Sequence, residues 1–265
     1  MIRLIATDLD GTLLNNEHKI SDYNKKIISA VNEKGIKFIL STGRPTSAAT
    51  KFLEDLNIET DMISFNGAMI TDRKGNILYE DNLESHIGKE LIEIAKKYKV
   101  YYQGFLGERW NLSDSKSKWL DFYISIAKIN NYKLGFDNIK DFSFSKFMFI
   151  GENHILKEIT KEIDKKLKDK VYYTFSRPVY LEVHSPKVSK ANALSFLLKK
   201  YNIERENIMA FGDNNNDIEM LELAKISVAV ENAESMVKEK AKYITKSNIE
   251  NGVGYFINEY FNLGL

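Results

Sequence analysis

Residues 3–13 read Arg3-Leu4-Ile5-Ala6-Thr7-Asp8-Leu9-Asp10-Gly11-Thr12-Leu13. The run up to Thr7 is apolar and short and stops abruptly at Asp8, the pattern of a buried strand. Reading outward, Ser21 can cap a helix with Tyr23, Ile27 and Val31 on its apolar face and Gly35 as its stop. Residues 36–40 predict a second strand, and the stretch after Pro45 a helix carrying Ala48, Ala49, Phe52, Leu53 and Leu56. A third strand is expected over 61–65. Strands alternating with helices in this way predict an α/β fold, a parallel sheet with right-handed crossovers.

The rhythm changes after residue 67. Ala68–Thr71 and Ile77–Tyr79 flank the turn residues Asp72, Arg73, Lys74 and Gly75 and predict a hairpin. From 82 to 185 helical patterns (87–98, 116–129, 155–167) mix with aromatic-rich strand patterns (100–105, 147–150, 171–175, 180–183). The alternation resumes with a helix over 190–201, a strand over 208–211, a helix over 218–224 and short strands over 227–230 and 243–245. The expected organisation is one α/β domain made of 1–81 and 186–265, with an α+β domain of 82–185 inserted into it.

Composition excludes several classes of function. The chain has 265 residues and 38 basic against 37 acidic side chains, so it offers no electrostatic footprint for nucleic acid. The lysines at 165, 166, 168 and 170 alternate with acids, as on a solvated helix face. No stretch approaches the length of a membrane span, and Asp8 interrupts the apolar run a signal peptide would need. The absence of cysteine rules out disulfides, thiolate metal sites and cysteine nucleophiles, and fits a cytoplasmic protein. The histidines, His18, His86, His154 and His184, show no ligand spacing and read as surface or core residues.

Ligands of open α/β sheets bind at the carboxyl ends of the strands. There the sequence places Asp8, Asp10, Gly11 and Thr12, then Ser41, Thr42, Gly43 and Arg44, then Gly212-Asp213-Asn214-Asn215-Asn216-Asp217, with Lys190 at a helix start. Carboxylates converging on one sheet edge repel unless a cation sits among them, and oxygen donors without thiolates point to a hard ion, Mg²⁺. The Thr42 hydroxyl, the Gly43 amide and the Lys190 ammonium suit a phosphate. Together they describe a phosphoryl-transfer site, in which an aspartate can attack phosphorus directly. Taken singly, each motif has a plainer reading: a turn, a strand exit, an Asx-rich or calcium-type loop, a surface lysine. All four occur in order, each at a strand end or helix start, which weighs against those readings.

On these residues the chain resembles the haloacid dehalogenase (HAD) superfamily, and within it the Cof-type hydrolases with a class IIB cap. Asn66-Gly67-Ala68, Asn232-Ala233 and Asn251-Gly252-Val253 fit the same pattern. The resemblance covers nearly the whole chain and implies a HAD-like Rossmannoid core with an inserted cap that excludes water and chooses the leaving group. It implies a phosphoric monoester hydrolase acting on a small phosphorylated metabolite through an aspartyl-phosphate. A phosphotransferase or mutase with the same intermediate, and a non-catalytic phosphate-binding module, stand as alternatives. Asp8 is the implied nucleophile and Asp10 the implied general acid/base. Leu9 (through its amide), Thr42, Gly43, Lys190 and Asn216 are the implied phosphate ligands. Mg²⁺ is implied among Asp8, the Asp10 carbonyl and Asp213, with Asn214 a further candidate and Asp217 an outer partner. Arg44 is a candidate for a second anionic group. In the cap, Tyr102, Arg109, Trp110, Arg177, Tyr180 and His184 are candidate substrate contacts. The chain departs from the family at Val230-Glu231, where a glycine usually stands; the added charge of Glu231 either narrows the tolerated substrates or faces solvent, and the second is favoured. No membrane partner is expected, and the sequence leaves the oligomeric state open between monomer and weak dimer.

Overall fold

A computed structural model describes residues 1–127 and 129–265 of the chain. The described residues form two compact units, Met1–Tyr79 with Ser189–Leu265, and Glu80–Val188. The first unit begins with strand β1 (Leu4–Thr7), helix α1 (Asp22–Glu33), β2 (Lys37–Ser41), α2 (Thr46–Leu56), β3 (Met62–Ser64), β4 (Met69–Thr71) and β5 (Ile77–Glu80). Ser21 caps α1 by accepting the Asn24 N–H at 3.1 Å. Pro45 precedes the first turn of α2, where a missing N–H costs nothing.

The second unit contains α3 (Ser85–Tyr98), β6 (Tyr101–Leu106), β7 (Arg109–Leu112), α4 (Lys118–Ala127), β8 (Tyr132–Leu134), β9 (Lys146–Ile150), α5 (Asn153–Leu167), β10 (Tyr172–Arg177) and β11 (Tyr180–His184). Its sheet runs in the order β10-β11-β9-β6-β7-β8. The strands at β7 and β8 are not among those the sequence suggested. The helix expected over 116–129 is seen as α4, and Lys128 lies outside the described residues. The second unit starts at Glu80, whose carboxylate accepts from Ser145 Oγ at 3.4 Å, and ends at Val188.

Strand alternation gives that sheet two unlike faces. Phe147, Phe149, Leu181 and Val183 pack with α3 and α5 in one apolar cluster. On the other face α4 lays Tyr123 against Trp110 and Tyr180, with ring centroids 5.4 and 5.9 Å apart. Lys146 and Glu182 are also buried and pair at 2.7 Å. Burial works against ionisation of Glu182, but the Lys146 charge and the His184 contact outweigh it and hold its pKa at about 2. A depressed carboxyl pKa adds stability above its unfolded value, 4.5, which is lost as pH falls through the folded value. Glu182→Gln is therefore expected to lower stability at neutral pH and to flatten its decline on acidification below about pH 4.5, as read by denaturant unfolding at several pH values.

The chain returns to the first unit with α6 (Lys190–Tyr201), β12 (Ile208–Gly212), α7 (Ile218–Leu223), β13 (Ile226–Ala229), α8 (Ser235–Lys240), β14 (Tyr243–Ile244) and α9 (Gly252–Phe261). The order β14-β13-β12-β1-β2-β3-β4-β5 places the first strand in the middle. From β14 through β3 all neighbours are parallel, and β4 turns back antiparallel. Ile5, Phe38, Leu40, Met209 and Phe211 pack under α1, α2 and α9, while Leu4, Ala6, Ile39, Ile208 and Ala210 pack under α6 and α7. Both faces are covered, which is why these strands read as continuous apolar runs rather than alternating ones. Among the described residues no helix is long and apolar enough to cross a membrane.

Candidate active site

Strand register brings the sequence motifs together. Thr7 stands opposite Phe211 on one side and Leu40 on the other, so Asp8, Gly212 and Ser41 leave the sheet at one level. The chain path diverges to opposite sides of β1 here, through β2 on one side and β12 on the other, forming the crevice where such sheets bind ligands. After Asp8 the backbone makes a single wide turn over Leu9–Leu13, closed by the Leu14 N–H on the Leu9 carbonyl at 2.9 Å. Gly11 takes φ +84° in that turn, and a Cβ there would collide with the Asp213 carboxylate. Only glycine satisfies both demands at once.

At the centre lies a buried charge cluster. Lys190, the first residue of α6, is wholly enclosed and donates to Asp8 Oδ1 and Asp217 Oδ1, both at 2.6 Å. Asp217 Oδ2 accepts the backbone N–H groups of Asp213 and Asn214 at 3.0 and 3.1 Å. Thr12 donates to Asp213 Oδ1 at 2.8 Å. Carboxylate oxygens of Asp8, Asp213 and Asp217 lie within 4.8 Å of one another. Burial pushes Asp8 well above the usual carboxylate range; Lys190 pulls it down, and the neighbouring Asp217, Asp213 and Asp10 push it up again. Burial and then Asp217 raise Asp213 to about 6, with Thr12 opposing. Burial favours neutral Lys190, but Asp217 and Asp8 outweigh it and hold the ammonium charged.

Three carboxylates against one ammonium leave an excess of negative charge in an oxygen-only donor set, which suits a hard divalent cation. The donors are not equivalent. Both Asp217 oxygens are already taken by Lys190 and the loop amides, so Asp217 holds the cluster in shape. The Asn214 oxygen caps its own turn by accepting the Asn215 N–H at 2.7 Å.

The expected phosphate ligands connect to this cluster. Buried Thr42 accepts the Arg44 N–H at 3.1 Å on its hydroxyl and the Asn66 N–H at 3.0 Å on its carbonyl. Asn66 Oδ1 accepts from Asn216 Nδ2 at 2.9 Å, and Gly43 sits so close to the Asn66 amide that a side chain there would strike it. Leu9 is buried in the turn that follows Asp8. Thr42, Gly43 and Asn216 are thus tied through Asn66 to the Asp217 loop, and through Lys190 to Asp8.

Asp10 is placed differently. Its side chain is 43% exposed, and Arg44 grips it with Nε on Oδ2 and Nη2 on Oδ1, both at 2.6 Å. Partial burial raises the Asp10 pKa, but the Arg44 hydrogen bonds and charge outweigh it and hold the carboxyl below its ordinary value. Arg44, a candidate for a second anionic group, has its guanidinium on this internal carboxylate. His18 Nδ1 also lies 3.6 Å from Asp10 Oδ1, beside the site rather than merely on the surface. Asn232 Nδ2 donates to the Gly11 carbonyl at 2.7 Å and braces the same turn. Thr12, Arg44, Asn66 and Asn232 stood inside or beside the motifs, so spacing alone could have nominated them; nothing local singled out His18. Glu231 is exposed, as expected.

In the second unit the candidate contacts separate. Tyr102 packs with the helix-covered cluster and stacks on Phe136 at 5.2 Å. Trp110, Tyr180 and His184 are buried in the second unit, and Arg109 and Arg177 are exposed.

The comparison with known proteins agrees with this geometry. Residues 5–257 match the family model described as haloacid dehalogenase-like hydrolase. The chain is 34% identical over 259 residues to the 5-amino-6-(5-phospho-D-ribitylamino)uracil phosphatase YcsE of Bacillus subtilis, spanning 98% of this chain and 96% of that one. It is 30% identical to the phosphatase YwpJ of the same organism, over 97% of this chain and 99% of the other. A crystal structure of a haloacid dehalogenase-like hydrolase from Bacteroides thetaiotaomicron superposes with a TM-score of 0.90 at 29% identity, covering 98% of this chain and all of that one. With the aspartate cluster at the sheet edge, these matches make the chain a member of the haloacid dehalogenase-like hydrolases of the Cof type, and a phosphatase.

Proposed function

We propose that the protein hydrolyses a small phosphomonoester in a Mg²⁺-dependent reaction that passes through an aspartyl-phosphate on Asp8. The observation that carries this reading is the Lys190–Asp8–Asp217 cluster beside Asp213, with Asp10 two residues from Asp8 on an independent support. Hydrolases of this family generally use a divalent metal. Asp8, the Asp10 carbonyl and Asp213 would hold it, with Asp217 fixing the loop. Bound there, it would neutralise the carboxylates and the phosphoryl oxygens, so that two anions can meet.

The residues of the chain do the rest. Lys190 has three N–H donors and spends two on carboxylates, which leaves one for a phosphoryl oxygen. The Thr42 hydroxyl, the amides of Leu9 and Gly43 and the Asn216 side chain complete the phosphate cradle. An Asp8 carboxylate oxygen bonds to phosphorus as the bond to the leaving oxygen breaks. Asp10 delivers its proton to that oxygen. The Asp10 carboxylate then takes a proton from water, whose oxygen attacks the same phosphorus and releases Asp8 and inorganic phosphate. Positioned proton transfer of this kind contributes about 10²–10⁴-fold. The inserted unit is the part of the chain this reading assigns to substrate choice.

The test is phosphate release from sugar phosphates, nucleotides, flavin mononucleotide, pyridoxal phosphate and an aryl phosphate, with Mg²⁺ and with chelator. The phosphorylated ribitylamino-uracil named for one relative belongs in the panel. Release that requires both the metal and Asp8 supports the reading; release that survives Asp8→Asn overturns it.

A further inference from the structure

The Arg44 fork is better supported than a surface ion pair needs to be. The Arg44 N–H donates to Thr42 Oγ1 at 3.1 Å, and its carbonyl accepts the Phe65 N–H at 2.9 Å. The guanidinium lies 5.3 Å over the Phe52 ring, and the side chain is only 12% exposed. The backbone on both sides and the ring below therefore fix where the fork points. Its partner carboxylate is half-exposed, and an ion pair with one member open to water adds little stability of its own. Two parallel N–H···O bonds do fix orientation, because a planar fork meets a planar carboxylate in one way.

We infer that Arg44 is a positioning residue that aims the Asp10 carboxyl at the oxygen of the leaving group. This rests on the phosphatase reading above. Each carboxyl oxygen has two lone-pair directions, and the fork uses one on each oxygen. Asp10 can thus carry a proton on one oxygen while Arg44 keeps hold of the other. In the first step the Asp8–phosphorus bond forms, the phosphorus–leaving-group bond breaks, and the proton on Asp10 moves to the departing oxygen. An alkyl ester depends on that proton because an alkoxide leaves poorly. An aryl ester with an acidic phenol does not, since the phenolate leaves unaided.

The consequence is a dependence on leaving group. A misplacement of about 1 Å at a group of this kind costs on the order of 10²-fold. In Arg44→Lys, which keeps the charge but not the fork, kcat/KM for an alkyl phosphate is expected to fall by about that factor. Because kcat/KM reports only the steps up to transfer onto Asp8, the aryl phosphate is expected to lose much less. The aryl-to-alkyl ratio then rises at least about tenfold, while the melting temperature stays near that of the native protein.

The experiment measures kcat/KM for an alkyl and an aryl phosphate with Mg²⁺ in the native protein, Arg44→Lys and Arg44→Ala, with thermal unfolding of each. A ratio that rises in both variants supports the inference, and Arg44→Lys alone decides if Arg44→Ala does not fold. Equal losses on the two esters overturn it, since a phosphate-binding or purely structural role moves both alike. Native protein that turns over neither ester contradicts the phosphatase reading instead.

Discussion

Replacing Lys190 by methionine is expected to abolish phosphate release and to lower stability by about 3–5 kcal/mol. The ammonium is fully enclosed and bridges Asp8 and Asp217, at 2.6 Å each. Methionine fits the volume of the lysine stem, so the effect comes from charge rather than from a cavity. Without the ammonium, two buried carboxylates face each other with Asp213 beside them, and one of them must take up a proton on folding. Asp8, already raised by burial, is the group expected to do so, and a protonated carboxyl is a poor nucleophile. Urea unfolding and phosphate release on the same preparation check both halves. A variant as stable as the native protein would show that the pair does not carry the energy assigned to it.

Replacing Asp8 by asparagine is expected to act in the opposite sense on stability while removing activity by on the order of 10⁵–10⁶-fold, the scale of a lost nucleophile. Folding raises the Asp8 pKa, so its protonated form is the one folding favours. That contribution is fully present below the ordinary carboxylate value, 3.8, and is lost as pH rises through the raised one. Asp213, raised to about 6, behaves in the same way. Metal-free native protein should therefore lose stability as pH rises from about 4 through 6, and Asp8→Asn should lose less. Adding Mg²⁺ reverses the comparison. At about a hundred times its dissociation constant a ligand adds about 2.7 kcal/mol, and the variant, short of one donor, gains less. Thermal unfolding with Mg²⁺ and with chelator reads this without any substrate. An equal gain in both proteins would place the ion away from Asp8.

The central sheet and its polar edge were legible because both depend on local pattern. An apolar run ending in Asp8, another ending in Ser41 and a third ending in Gly212 locate strand ends, and parallel register then sets those ends side by side. What the pattern missed is tertiary. Arg109-Trp110-Asn111-Leu112 has no clean alternation, because three of its four side chains are buried in the sheet of the second unit. The helix Gly252–Phe261 opens on Gly252-Val253-Gly254, whose two glycines are poor helix formers. It is fixed by distant partners: the Gly254 N–H donates to Asn24 Oδ1 at 3.0 Å, and Val253 and Ile257 join the core below α1. The Arg44–Asp10 fork joins residues 34 apart, and only the fold shows that two neighbouring strand ends aim these side chains at each other. His18 reaches Asp10 by the same kind of accident of chain path.

The proposed mechanism requires a covalent bond between Asp8 and phosphorus. Asp10→Asn with an aryl phosphate isolates it, because the phenolate leaves without an acid while water lacks its base. Mixing the variant with substrate and Mg²⁺, quenching in acid and mapping peptides by mass should find one phosphoryl group on Asp8, formed at the rate of phenolate release. Phenolate release with no phosphoryl group on Asp8 would mean that water attacks the substrate directly, and would contradict the mechanism.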